Sequence, residues 1–342
     1  MILYARGSAH LHNSQLCKSC LAQDSSSCAR QRTRREKGEI KLKNKLRWLL
    51  FVGGILLAGF CVGCGNGATP TVRAENAPSK GPAAHVILII EENQSFSTVY
   101  HNQMPWLSAL GDKYGIATNY FSNEQGSLLD YLWLSSGAGE LHFGCSGNQC
   151  QHTITDNNIF RELNKAGMSW NVYADSLPKA GFMGTSSGSY VKRHNPAVWY
   201  SDIVNSRRQQ QNVLPFSQFA VDLAADNLPD YTIIVPDLKD DAHDGTPEAA
   251  DRWLKTNIGP LLDSRYFQAG STNVMLITFD NGKDDAEGRV FTAVIGENVI
   301  PGIKVETPFR HQNTLRTIMQ LIGLTNYPGA SANAAPMDEF FQ

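Results

Sequence analysis

Five apolar residues, Val86 to Ile90, run without interruption into Glu91, Glu92 and Asn93. A run this short, rich in β-branched side chains, reads as a strand buried on both faces of a parallel sheet. Gln94, Ser95 and Phe96 then enter a turn. In open α/β sheets, ligands bind at the carboxyl ends of strands. A carboxylate followed by an amide oxygen at such an end is a hard-oxygen pair suited to a divalent cation. A helix-capping acid would account for one strand end of this kind, but the pattern recurs downstream.

From His85 onward, apolar runs alternate with helical patterns. The runs predict strands over 86–91, 116–121, 169–174, 231–236, 273–279 and 290–296. The 3.6-residue patterns predict helices over 102–112, 128–136, 157–167, 213–226, 247–262 and 310–323. This alternation argues for an α/β domain with a mostly parallel central sheet and helices on both faces. Residues 176–212 are rich in Gly, Ser and Pro, then polar, and read as an insertion over the site.

Chemistry-bearing residues gather where these elements meet. Ser127 stands near the start of the helix expected from 128, where unpaired N–H groups and the helix dipole accept a phosphate. Taken alone, a simple N-cap is the plainer account of that serine. The run YTIIVP is followed by Asp237, Asp240, Asp241, His243 and Asp244, a dense acidic loop directly after a buried strand. NVMLITF ends in Asp280 and Asn281, and His311 opens the helix at 310–323. A solvated loop or a helix-start histidine would explain each cluster singly. Together they suggest one metal-assisted site with a hydroxyl nucleophile.

The N-terminal part is different in kind. KLKNKLRW leads into LLFVGGILLAGFCVGC. A basic segment followed by an apolar stretch of about 13–16 residues is a secretory signal. It is short for a membrane span, which needs about 20 residues. Val62-Gly63-Cys64 resembles the end of a bacterial lipobox, with Cys64 the lipidated residue of the mature N-terminus, although Cys61 stands where Leu is usual. Residues 1–64 are therefore expected to be an N-terminal extension and signal peptide, 65–84 a linker, and 85–342 the catalytic domain. Such a chain would be exported, whether periplasmic, a cell-surface lipoprotein or secreted. It would meet the membrane through the lipid anchor or an uncleaved signal helix. In an oxidising compartment Cys145 and Cys150, five residues apart, would pair as a disulfide. The formal charge of -2 offers nothing to a nucleic acid.

At this point the motifs resemble a family. Glu92-Asn93-x-Ser95-Phe96, SLLDYLWLSSG (127–137), Tyr190 with Arg193-His194-Asn195-Pro196, PDLKDDAHDG (236–245), TFDNG (278–282) and RHQNTLRTIMQLIGL (310–324) follow in the order of the bacterial phosphoesterase family. That family holds acid phosphatases and phospholipases C within the alkaline-phosphatase-like superfamily. The resemblance implies that one divalent metal ion is held by Glu92, Asn93, Ser127, Asp280 and Asn281. It implies Ser127 as nucleophile and His243 and His311 as active-site histidines. It places Asp130, Tyr190, His194 and Asp241 around the substrate, a small phosphate ester or phospholipid head group. Asp130 departs from the family's usual amide, and Asn281 from its frequent second acid.

Two other readings compete. Gly184-Thr185-Ser186-Ser187-Gly188 matches the G-x-S-x-G of serine esterases, but that elbow needs a strand before it and a helix after it, and neither is expected here. A non-catalytic surface lipoprotein that keeps the fold is the other. The expectation carried forward is an exported, metal-dependent phosphomonoesterase of the acid phosphatase type, using a phosphoserine intermediate. A phospholipase C-type diesterase is the alternative.

Overall fold

The computed structural model describes Ala83 and residues 85–342. The expected signal segment, Cys64 and most of the linker lie outside the described residues. Among the described residues, no helix is long and apolar enough to cross a membrane.

The described residues form twelve strands: β1 (Val86–Glu91), β2 (Gly115–Ala117), β3 (Tyr120–Phe121), β4 (Trp170–Ala174), β5 (Ser186–Ser187), β6 (Tyr190–Val191), β7 (Val213–Pro215), β8 (Tyr231–Val235), β9 (Val274–Phe279), β10 (Thr292–Ile295), β11 (Ile303–Val305) and β12 (Phe309–Arg310). Eight form one sheet in the order β11-β2-β10-β9-β1-β8-β4-β7. All its pairings are parallel except the two made by β10, which runs against both neighbours. Every residue of β1, β8 and β9 is buried, which is why these strands read as unbroken apolar runs rather than alternating ones. Burying each Val, Leu or Ile there contributes about 1.5–3 kcal/mol.

Among the described residues the six longer helices are α1 (Pro105–Lys113), α2 (Ser127–Ser136), α3 (Ile159–Ala166), α4 (Ser217–Ala224), α5 (Pro247–Leu262) and α6 (His311–Leu321). Four of them pack in pairs, α1 with α5 and α2 with α6. Period-two alternation turns Glu91 and Glu92 to opposite sides of the sheet. Glu91 faces the acids of the α5 side, Asp251 among them, while Glu92 meets Ser127 at the start of α2. The two helix pairs thus cover the two faces. The mixed α/β class expected from the alternation is the one observed.

Two local expectations fail. Residues 213–226 are not one helix: Val213 pairs with Val172 as an edge strand, and α4 begins only at Ser217. An edge strand tolerates Pro215, which has no N–H to give. The expected strand 116–121 divides at a turn through Thr118 and Asn119, so β2 stays in the main sheet while β3 pairs with β12. The short strands β11 and β12 carry too few residues to show a period.

Candidate active site

Three strand ends and two helix starts converge. The backbone locks the strand ends together: Glu92 N donates to Asp241 O at 2.8 Å, and Asp280 N donates to Glu91 O at 3.0 Å. Just past β1, Asn93 turns the chain with φ 49°, a left-handed conformation that Asn tolerates better than most residues. Its N–H donates to Asp280 Oδ1 at 2.9 Å.

Ser127 is the first residue of α2, and Gly126, with φ 130°, occupies the cap position. The serine therefore does not cap the helix. Its hydroxyl donates to Glu92 Oε2 at 2.8 Å, and the Asp280 carboxylate lies within hydrogen-bonding reach of both Ser127 and Glu92. Glu92, Asp241 and Asp280 are all buried. Burial, with Asp280 and Asp241 alongside, pushes the Glu92 carboxyl well above its ordinary range. Burial is also the main cause of the upward shifts of Asp241 and Asp280.

His194 fills the side of this cluster. Its Nδ1 lies 3.1 Å from Asp241 Oδ2, while its Nε2 stands 3.3 Å from Glu92 Oε1 without hydrogen-bond alignment, leaving both of the latter atoms buried and unpartnered. Burial first, then the charges of Arg193 and His243, hold the His194 ring well below its usual pKa. Asp241 Oδ1 accepts from His243 N at 2.8 Å, so one carboxylate sets both histidines. Donor atoms of Glu92, His194 and His243 lie within 4.8 Å of one another.

These residues fit a divalent cation. Mutually repelling buried carboxylates, the orphaned Glu92 Oε1 and a set of oxygen and imidazole donors are what a hard or borderline cation would satisfy. Asn281 contributes less clearly. Its Nδ2 already donates to Asp280 Oδ2 at 2.9 Å, leaving Oδ1 to offer.

Three further expected site residues, Asp130, His311 and Tyr190, are buried with protein partners of their own. Asp130 is fully buried, its Oδ1 accepts from Asn123 N and Glu124 N and so orders the loop before Ser127, and its Oδ2 has no partner. His311 is also fully buried. Its Nε2 bonds the backbone carbonyl of Asp280 at 2.6 Å and its Nδ1 lies 3.0 Å from Tyr120 Oη. Both nitrogens are engaged within the protein, and Nε2 also lies 3.4 Å from Asp130 Oδ1. Tyr190 is buried with its hydroxyl 3.4 Å from Asn195 Nδ2, bracing the turn that carries His194. Ser186 sits exposed in the β5–β6 hairpin, which is not a strand-to-helix elbow.

Sequence reasoning gave no role to two residues. Tyr131 stacks on His194, ring centroids 5.7 Å apart and planes 6° apart, with a buried, unpartnered hydroxyl beside Glu92. Its place four residues after Ser127, one helical turn on, was the available signal. Arg193 lies against His243. The Cys145–Cys150 disulfide is present, and its loop crosses the start of α2. Leu128 N donates to Asn148 Oδ1 at 3.4 Å, and a side chain at Gly126 would meet Gly147 O at 2.9 Å.

The model of the Phosphoesterase family matches residues 98–325. A phosphatidylinositol-3-phosphatase of Mycobacterium tuberculosis is 29% identical over 280 residues, covering 80% of this chain and 88% of that relative. A probable acid phosphatase of Kluyveromyces lactis is 28% identical, covering 68% of this chain and 56% of that one, so the chain spans little more than half of the yeast protein. Among solved structures, a protein of the alkaline phosphatase superfamily from Vibrio parahaemolyticus superposes with TM-score 0.51 at 11% identity, over 72% of this chain and 69% of that one. That last likeness concerns the fold. The matched region holds Ser127, the strand ends after β8 and β9 and the start of α6, and on it the chain belongs to the Phosphoesterase family and is a hydrolase of phosphoric esters.

Proposed function

We propose that the chain is an exported, metal-dependent phosphomonoesterase that works through a phosphoseryl intermediate on Ser127. The observation that carries this reading is the Ser127 hydroxyl, held 2.8 Å from Glu92 Oε2 at the head of α2 among buried carboxylates. Glu92, Ser127 and Asp280, with Asn93 and Asn281 beside them, are the residues that would hold the ion. When bound, a divalent cation supplies Lewis acidity that lowers the pKa of the serine hydroxyl and polarises a phosphoryl oxygen.

The chain's own residues do the rest. Ser127 Oγ forms the bond to phosphorus as the bond from phosphorus to the ester oxygen breaks, and Glu92 Oε2 is the atom already accepting the Ser127 proton. The departing oxygen leaves with a proton. Water then attacks phosphorus, the P–Oγ bond breaks, and Ser127 and inorganic phosphate are released. His243, half-buried at the mouth, is the ring placed to exchange protons with the leaving oxygen and the water. His194, between Glu92 and Asp241, orients the carboxylates.

The names of the mycobacterial and fungal relatives denote phosphomonoesterases, which favours a monoester over a diester. A membrane-borne monoester suits a chain whose segment 41–64 reads as a signal and lipid-attachment sequence. The test is Ser127→Ala in metal-loaded protein, assayed on an aryl phosphate, phosphatidylinositol 3-phosphate and phosphatidylcholine. Turnover of the monoesters should fall by several orders of magnitude with little change in melting temperature. Acid-quenched wild type should carry phosphate on Ser127. A stable variant with near-normal turnover would end this mechanism. Turnover confined to phosphatidylcholine would favour the diesterase.

A further inference from the structure

Arg193 is a cation that the scheme above leaves unused. It lies in the 3-10 turn Lys192–His194 directly after β6, and the next side chain, His194, is wedged between Glu92 and Asp241. The backbone at 193 is therefore fixed against the site. Arg193 Nη2 stands 3.3 Å from His243 Nε2, and Arg193 Nε is shut away from solvent with no partner. Among the described residues, no carboxylate lies within ion-pairing distance of this guanidinium. Arg161, by contrast, forks onto both oxygens of Asp202. Arginine offers five N–H donors in a planar fork, and among the described residues all but one of those at Arg193 are without a protein partner.

The contact with His243 also has a direction. A guanidinium only donates, so His243 Nε2 accepts, and the ring's proton sits on Nδ1, given to Asp244 Oδ1 at 2.8 Å. While Arg193 rests there, Nε2 cannot serve in proton exchange. The charge at the site supplies the reason for Arg193 to move. Glu92, Asp241 and Asp280 outweigh a single divalent ion, yet a phosphomonoester arrives as a dianion. A second cation must meet it.

We infer that Arg193 binds the non-bridging oxygens of the substrate phosphoryl group, leaving His243 Nε2 as it does so and freeing that nitrogen for proton exchange. The inference rests on the phosphoesterase reading and deepens it: the site is selective for dianionic monoesters because Arg193 reads the extra anionic oxygen. A diester, with one anionic charge, makes less use of the fork.

The experiment uses the metal-loaded full chain with Arg193→Gln and Arg193→Lys. It measures competitive inhibition by inorganic phosphate, and kcat/KM for an aryl phosphate monoester and a bis-aryl diester. Arg193→Gln should weaken phosphate inhibition and monoester kcat/KM by about 10- to 100-fold, the scale of a charge-assisted hydrogen bond. The diester should change by less than about threefold, and Arg193→Lys should recover part of the monoester loss, as a point charge without the fork. Inorganic phosphate should raise the melting temperature of wild type more than that of Arg193→Gln, a readout that does not need turnover. Phosphate inhibition within twofold of wild type, equal losses on both esters, or equal thermal protection would each overturn the inference. Since Ser127→Ala keeps Arg193, its phosphate protection separates a failed nucleophile from a failed anion site. Lost turnover with retained protection supports both readings, whereas retained turnover sinks the nucleophile alone.

Discussion

Glu92 and Asp280 stand at the ends of β1 and β9, which pair side by side over six residues and are buried throughout. Arg193, His194 and the Cys145–Cys150 loop stand on short turns outside the main sheet. The floor of the site is thus positioned by long-range ladders, and its rim by single contacts such as His194 to Asp241 and Asn148 to Leu128. A floor of this kind can hold buried charges in an unfavourable arrangement, because the ladders over-determine where they sit. A rim held by a few contacts can adjust to what enters. Function should therefore fail abruptly when the floor is altered and by degrees when the rim is.

The largest effect is expected at the floor. Glu92→Gln or Asp280→Asn should lower monoester turnover by about a thousandfold or more, the scale of losing a group that acts with others as a unit. Elemental analysis should show bound divalent metal lost in parallel. The same variants, stripped of metal, should melt no earlier than stripped wild type, because each removes a buried carboxyl from a cluster of like charges. A variant that keeps both metal and rate would remove the carboxylates from the chemistry. One that melts much earlier would show the floor to be held by those charges rather than by the ladders.

The same division governs what the sequence could reveal. Strands β1, β8 and β9 announce themselves as apolar runs because both faces are buried, and the acids that end them follow at once in the chain. Glu92 and Asp280 were legible for that reason, Asp241 as part of the acidic loop after β8, and Ser127 from the expected helix start. The direction of a side chain was not. Asp130 lies three residues after Ser127 on the same helix, yet it turns back to accept from Asn123 N and Glu124 N. His311 opens α6 as expected but points to the Asp280 carbonyl. Asp130 finds its partners in the loop just before its own helix, and His311 finds its partner 31 residues away. No local period encodes them. The rim was less legible still, since the turns around 192–200 carry only three or four residues each in any regular conformation.

A middle-sized effect should distinguish His311 as part of the floor. Complete burial holds its ring down to about 4, below the usual value of about 6.5. The unfolded chain therefore binds a proton that the folded one refuses. The associated stability is present above the unfolded value and is lost as pH falls toward 4. It amounts to about 2 kcal/mol between neutrality and pH 5. Chemical denaturation at pH 7 and pH 5 should show wild type losing that increment, while His311→Gln, which has no titrating ring, should not. Parallel losses in the two proteins would mean that the folded ring takes up a second proton, on Nδ1 beside Tyr120 Oη, as readily as the unfolded one.

The smallest effect belongs to the disulfide, and it tests the rim directly. The loop that Cys145 and Cys150 close is short, their separation being five residues. By the chain-entropy argument such a loop contributes about 2 kcal/mol at most. What the loop touches is nonetheless the head of α2: Gly147 passes over Gly126, and Asn148 reaches Leu128 N through a long bond of 3.4 Å. Replacing both cysteines with serine frees the loop but leaves Ser127 bonded to Glu92 and leaves Gly126 capping the helix. Turnover should therefore change by less than about tenfold, and the melting temperature should drop by about 2–4 °C for each kcal/mol lost. The effect should appear mostly in KM, since the loop touches the head of α2 and makes no bond to the hydroxyl that reacts. A thousandfold fall in kcat with the fold intact would show that the serine is aimed by the loop above it rather than by the carboxylate below. In that case floor and rim would form one unit, and the distinction between them would not survive.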